Sequence, residues 1–236
     1  MTLSDVIDQV ADPSKTFKCF HTGPIDILRH FDSDPGSVEL HTIPDAGSDG
    51  FVLYYEDDEF AAAIPVESFA ILENPPLEPP WTARDVREPL THLIEVLDDT
   101  SFVDYNRRQM LATSRVVEER AWRYGYGTLH VGFQSTDALE LQQPIYAELA
   151  TRSELSIELY VSDGVDGPVP PGSVIHEVSD DLLGACWFAL YDAAGDTVNT
   201  CGLLAEEREP GSFHGFWTQD PDRVSSIISY LGEAHD

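Results

Sequence analysis

Thr128-Leu129-His130-Val131-Gly132-Phe133, then Gln134-Ser135-Thr136, then Asp137 to Thr151, then Leu155-Ser156-Ile157-Glu158-Leu159-Tyr160-Val161 is the stretch on which the fold turns. The first run is rich in branched and aromatic residues and reads as a strand. The last alternates apolar and polar positions with the period of a half-buried strand. Between them Asp137 to Thr151 is long enough for a helix, with Asp137 near its start. Strand, helix and strand in this order indicate an α/β fold.

The first half of the chain repeats the order. Thr16 to His21 is strand-like, Pro24 to Phe31 is a short helix candidate, and Val38 to Ile43 alternates as a strand. Phe51 to Glu56 and Glu59 to Val66 then form a hairpin about Asp57-Asp58, matched in the second half by Cys186 to Tyr191 and Thr200 to Ala205 about Gly195. The expectation is mixed sheets with flanking helices and a duplicated strand-helix-strand-hairpin unit. Asn74-Pro75-Pro76-Leu77-Glu78-Pro79-Pro80-Trp81 cannot be an interior helix or a central strand, and it marks a linker. The resulting division is an N-terminal α/β unit over 1–72, a proline-rich linker over 73–81 and a second α/β unit over 82–236. Two helices open the second unit, Pro89 to Leu97 and an arginine-rich one, and a last helix runs from Pro221 to Leu231 behind Asp220.

Charge bounds the function. Thirteen basic residues, only Lys15 and Lys18 being lysine, face 43 acidic ones, for a net charge of -30. Such a surface repels nucleic acid and anionic membranes. The acidity runs along the whole chain, as in a folded protein adapted to molar salt, where screening shortens to ~3 Å. Met1 to Asp12 has neither the basic start nor the apolar run of a secretory signal, and the longest apolar run, Ala185 to Tyr191, is too short to span a bilayer. The reading is a soluble cytoplasmic protein. Cys19, Cys186 and Cys201 form no Cys-x-x-Cys pair. With Cys186 opposite about Ala205 and Cys201 opposite about Leu190, buried free thiols are expected.

Five of the eleven arginines fall between Arg107 and Arg123. In a helix, Arg108, Arg115 and Trp122 share a face. These arginines either pair with acids, as on any solvated helix, or line a site. Leu203 to Pro221 carries Phe213, His214, Phe216 and Trp217 among glycines and prolines and reads as a loop whose aromatic residues need cover. Phe133-Gln134-Ser135-Thr136 lies where open α/β sheets bind ligands, although Gln134 and Ser135 serve equally well as helix caps. Phosphate-loop, dinucleotide, zinc-protease and nucleophile-elbow motifs are missing, the histidines lack metal spacing, and His130 reads as a half-buried strand residue.

Arg108-Gln109-Met110-Leu111-Ala112, Glu119-Arg120-Ala121-Trp122-Arg123, Val131-Gly132-Phe133-Gln134, Leu203-Leu204-Ala205-Glu206-Glu207 and Gly215-Phe216-Trp217-Thr218-Gln219-Asp220-Pro221 together resemble the DICT sensory domain family, over roughly Pro80 to the C-terminus. The resemblance implies a non-catalytic sensory module, known from diguanylate cyclases and two-component proteins of cyanobacteria and haloarchaea and linked to light-responsive signalling. It carries over no cofactor, ligand or catalytic residue. The chain shows no kinase, receiver or cyclase segment, so a signalling partner protein is expected. The candidate ligand site joins Arg108 and Arg115 as donors, Gln134 and Ser135 as a polar turn, Phe216 and Trp217 as an apolar wall, and Glu206 and Glu207 as the groups orienting the arginines. One alternative is an enzyme acting on an anionic metabolite, with Arg108 and Arg115 as clamps and Glu206 or Glu207 as general base. A purely structural interaction domain is the other.

The charge generates a first prediction. At low ionic strength the acidic groups repel one another unscreened, so the melting temperature followed by circular dichroism rises from dilute to molar potassium chloride. An unchanged melting temperature contradicts the salt-adaptation reading.

Overall fold

Two mixed sheets, of four and seven strands, carry the fold. The computed structural model describes residues 2–10, 15–23, 27–31, 37–44, 50–82, 84–162, 169–179, 183 and 185–233. Helix α1 (Leu3–Val10) precedes β1 (Lys15–His21), β2 (Val38–Thr42), β3 (Gly50–Glu56) and β4 (Glu59–Pro65). After α2 (Glu88–Val96), β5 (Ser101–Tyr105) and α3 (Arg107–Tyr124) come β6 (Tyr126–Phe133), α4 (Thr136–Leu149), β7 (Glu154–Val161) and β8 (Ser173–Glu177). The chain ends with β9 (Cys186–Asp192), β10 (Cys201–Glu209), β11 (Ser212–Thr218) and α5 (Pro221–Glu233).

Strand order is β2-β1-β3-β4 in the small sheet and β5-β11-β10-β9-β6-β7-β8 in the large one. Strand β1 lies parallel to β2 and antiparallel to β3, as β6 lies parallel to β7 and antiparallel to β9. In each unit the second hairpin strand continues the sheet, so β2-β1-β3-β4 and β7-β6-β9-β10 are the same topology. The mixed α/β class and the repeated unit thus match the sequence reading. The units differ in their crossovers: α4 fills the second, whereas the first contains a 3-10 turn at Ile27–Phe31, residues 24–26 lying outside the described residues. Asp57 and Asp58 turn the β3-β4 hairpin with φ of 51° and 62°, the left-handed pair that a two-residue hairpin needs.

The two expected units share one core. Phe17, Phe31, Val52 and Phe69 from the first half join Phe102, Met110, Val131 and Trp217 from the second. Phe31 meets Trp217 edge-on at 6.2 Å, and Gln109 Nε2 donates to the Leu72 carbonyl at 3.0 Å. The proline-rich stretch between the units has no helix or strand, as expected of it, but it is pinned: Arg87 Nη2 donates to the carbonyls of Glu78 and Pro79 at 2.5 and 3.2 Å. Helix α1, although N-terminal, packs with α5 on the outer face of the large sheet, where Leu3, Ile7, Phe188, Leu204, Phe216 and Ile227 form a second core.

Four sequence expectations need correction. Residues 203–218 are the hairpin β10-β11, not a loop. Both faces of this hairpin are covered over residues 201–205 and 215–218, so its apolar residues there run together instead of alternating and the strand signal is hidden. The hairpin turns at Gly211 (φ 79°), whose N–H is accepted by the Glu207 carboxylate at 2.7 Å. Phe216 and Trp217, adjacent on β11, consequently point to opposite faces, Phe216 into the outer core and Trp217 into the inner. The third correction is a register shift: Cys186 faces Glu206 and Cys201 faces Tyr191, one residue from the expected pairs. All three cysteines are nonetheless free and buried. Finally, β5 and β8 are strands that the sequence reading did not contain.

Candidate functional site

Helix α3 lies at the centre of the inner core. Asn106 caps it: its side-chain oxygen accepts from the N–H groups of Arg108 (2.9 Å) and Gln109 (3.1 Å), while Gln109 returns a bond to the Asn106 N–H at 2.8 Å. Gly125, left-handed at φ 71°, ends it. Most of its residues from Gln109 to Ala121 are buried, including Arg115, Glu118, Glu119 and Arg120.

Each of those buried charges has a partner within the protein. Glu118, 0% exposed, receives Arg115 Nη1 on one oxygen and the Tyr146 hydroxyl on the other, the latter at 2.6 Å. Arg115 Nη2 donates to Gln142 of α4. Burial works against the charge on Arg115, but Glu118 and Tyr146 beside it together more than offset this and raise its pKa above the ordinary arginine value. Burial and Glu118 hold the Tyr146 phenol well above its usual range. Further along the helix, Arg120 bonds Glu95 and Gln219, both at 3.1 Å, and Arg123 pairs with Glu119 at 3.8 Å.

The predicted site residues are therefore not brought together. Arg115 is spent on Glu118 and Gln142. Glu206 accepts from Ser4 at 2.8 Å and Arg208 at 3.2 Å, which ties α1 to β10, and Glu207 holds the Gly211 turn; neither orients the arginine helix. Phe216 and Trp217 are buried on opposite sides of the sheet, and the Trp217 indole donates to the Leu97 carbonyl at 2.6 Å. Ser135 caps α4, accepting from the Ala138 N–H at 3.3 Å. Arg108 is exposed at the start of α3.

What the structure does assemble is an apolar notch of about 70 Å³ at the carboxyl end of β6, where parallel pairing with β7 gives way to antiparallel pairing with β9. Gly132 and Phe133 form its floor, and Trp187 of β9 closes one side. Arg107 and Leu111, one turn apart on α3, face Ala138, Leu141 and Gln142 on α4. The Trp187 indole donates to Ser114 at 3.0 Å, which fixes its plane. Gln134, among the predicted residues, lies at this mouth, its amide donating to the Ala185 carbonyl at 2.6 Å. Leu141 is 76% exposed at the rim. Arg107 beside it makes no ion pair or hydrogen bond among the described residues.

Sequence reasoning found the β6-α4 turn and missed the rest of the notch. One signal was available: Leu139, Tyr146 and Leu149 make the buried face of α4, and Leu141 falls off that face, a leucine the core does not claim. Arg107 carried no mark that set it apart from the other four arginines of its segment.

No family model matches the chain, and comparison with curated proteins found no match. Among solved structures, a polyphosphate kinase from Porphyromonas gingivalis superimposes with a TM-score of 0.38 at 12% identity, covering 98% of this chain and 44% of that one. The chain thus spans less than half the length of that protein, and a likeness of this size assigns neither fold family nor activity. Among the described residues, no group of acids, histidines and cysteines is placed to hold a metal, and no helix is long and apolar enough to cross a membrane.

Across the sheet from the notch, His130 is buried on the outer face and shares a hydrogen bond with the Tyr160 hydroxyl at 3.1 Å. Burial lowers its pKa from 6.5 to about 4, against the pull of Glu158 and Asp192. Between those values the unfolded chain binds a proton that the native protein does not, so the stability associated with neutral His130 is present above pH 6.5 and lost as pH falls through about 4. Titration followed by imidazole NMR in the folded protein therefore gives a midpoint near 4 for this residue. A midpoint at the ordinary histidine value would show that the ring is solvated.

Proposed function

We propose that the protein is a non-catalytic sensory or regulatory domain of cytoplasmic signal transduction, light-linked as its resemblance to the DICT family implies or stress-linked, and that its recognition site is the notch at the carboxyl end of β6. The observation that carries this reading is the pairing of an exposed Leu141 and an unpartnered Arg107 over an apolar floor, in a chain whose other helix-α3 arginines, Arg108 apart, are used internally. Small-molecule sites usually enclose ~300 to 1,000 Å³. A cavity of about 70 Å³ suits instead one compact apolar group with a carboxylate at the rim, whether from a small ligand or from a partner's side chain.

Gln142 supports a route for the signal. It lines the notch and also accepts from Arg115, so an occupant that moves Gln142 alters the partner of a buried guanidinium and, through Glu118, the seat of Tyr146. Two discrete packings of such a network are what a switch requires.

The test uses 4-methylpentanoate, which combines a branched apolar end with a carboxylate. Added to the protein in molar salt, it shifts the amide resonances of Gly132 and Leu141 and the indole resonance of Trp187. Leu141→Asp, a surface change expected to alter stability by no more than ~0.5 kcal/mol, abolishes those shifts. Shifts centred elsewhere, or unaffected by Leu141→Asp, contradict the assignment.

A further inference from the structure

Among the described residues, the small sheet is covered on one face only. Its inner face gives Phe17, Cys19, Val52, Tyr54 and Ile64 to the core, and the 3-10 turns Ile27–Phe31 and Val66–Leu72 that touch the sheet add Leu28, Phe31, Phe69 and Leu72 to that same core. The large sheet, by contrast, is covered on both faces. A sheet with one solvated face, such as the antiparallel β1-β3-β4 part of this one, normally turns polar residues outward. Here Phe20, His41, Phe51, Tyr55 and Phe60 stand among the outward positions, together with Lys18, Glu39, Leu53 and Ala63.

His41 stacks on Phe20 at 4.9 Å, and Phe20 stacks on Phe51 at 5.0 Å. Tyr55 meets Phe60 edge-on at 6.1 Å. Phe51 is 41% exposed and Phe60 60% exposed. Strands β1, β3 and β4, with His41 of β2, thus present two aromatic clusters, with Lys18 and Leu53 between them, that no described residue covers, the kind of patch that marks an interaction site.

We infer that this face is an isologous dimer interface, and that a second copy of the chain packs its own small sheet against it. This rests on observations separate from the notch. Charge selects the partner. Among the described residues, the charged side chains on the face are Lys18 and Glu39, paired with each other at 3.6 Å, with Lys18 also 5.6 Å from the centre of the Tyr55 ring and Glu39 3.5 Å from His41. The patch is neutral within a chain of net charge -30, so it is where two copies approach without bringing like charges together.

The two-fold arrangement also solves the remaining repulsion. Glu56, Asp57, Asp58 and Glu59 make the β3-β4 turn acidic at one end of the face. Strands of the two copies running in opposite directions place the two turns at opposite ends. At ~3.4 Å per residue these ends lie ~20 Å apart. That exceeds the screening length of ~8 Å at physiological ionic strength. Four strands ~4.8 Å apart and ~20 Å long offer a flat footprint of ~400 Å² per copy, the size of a transient rather than a standard interface, which makes the dimer weak and concentration-dependent. Edge-to-edge pairing through β4 does not compete, because a bulge beside Ala61 and Pro65 at its end blunt that edge.

Sedimentation equilibrium of the full chain decides the matter. The mass rises with concentration from 26.2 kDa toward twice that value, and association strengthens from dilute to molar salt as the remaining acid repulsion is screened. Phe60→Asp weakens association at least ~10-fold while circular dichroism stays unchanged, and Phe51→Ser does the same without adding charge. A monomer at every concentration in molar salt overturns the inference. So does a dimer that neither variant weakens, which would lie on another surface, or an association that falls with salt, as binding of a basic contaminant would.

Discussion

A carboxylate with no access to water has to be answered by the protein, and Glu118 is such a carboxylate. Removing an ion pair from water costs several kcal/mol per ion, which is recovered only when every donor and acceptor is placed. Here Arg115 supplies one bond from the same helix and Tyr146 supplies another from α4, while Gln142 of α4 takes the free end of Arg115. Helices α3 and α4 are held in one relation by this set of bonds. The notch lies between them and shares Gln142 with this set of bonds, so the buried pair contributes to its width.

The same helix joins the two halves of the fold. Gln109 at its start holds the Leu72 carbonyl that ends the first unit, and Trp187 of the large sheet docks on Ser114 at its middle. A repeated topology would otherwise leave two small sheets with incomplete cores. Sharing α3 and the aromatic cluster of Phe31, Phe102, Tyr105 and Trp217 gives them one. The shared core leaves the outer face of the small sheet as the surface that internal packing does not cover among the described residues.

The paired strands of both repeated units were legible because periodicity and turn chemistry agreed there, whereas the helix expected over Pro24 to Phe31 is a 3-10 turn at Ile27–Phe31. The β6-α4-β7 run alternates or caps as its structure requires, and Asp57-Asp58 announces its hairpin. Legibility failed where burial on two sides erased alternation. Leu203 to Trp217 looks like a loop because Gly211, Gly215 and the aromatic residues hide a strand pair covered on both faces. The site failed for a related reason. The arginines looked available because sequence cannot show that Arg115 and Glu118, three positions apart, face inward together with Tyr146. Only Gln134 of the expected set reaches the notch. Leu141 and Arg107, which define its rim, are ordinary residues until the helices are docked.

The central claim is that Arg115 and Glu118 act as one buried unit that fixes α3 against α4. A double-mutant cycle in urea at constant salt tests it most directly, using Arg115→Met, Glu118→Leu and the combination. Removing either partner alone leaves a buried polar group unanswered and costs ~3 to 5 kcal/mol, whereas removing both exchanges the pair for apolar packing. The account predicts a double variant more stable than either single one, with a coupling energy of ~2 kcal/mol or more. Additive losses of ~1 kcal/mol each would show an independently solvated pair, and would contradict it.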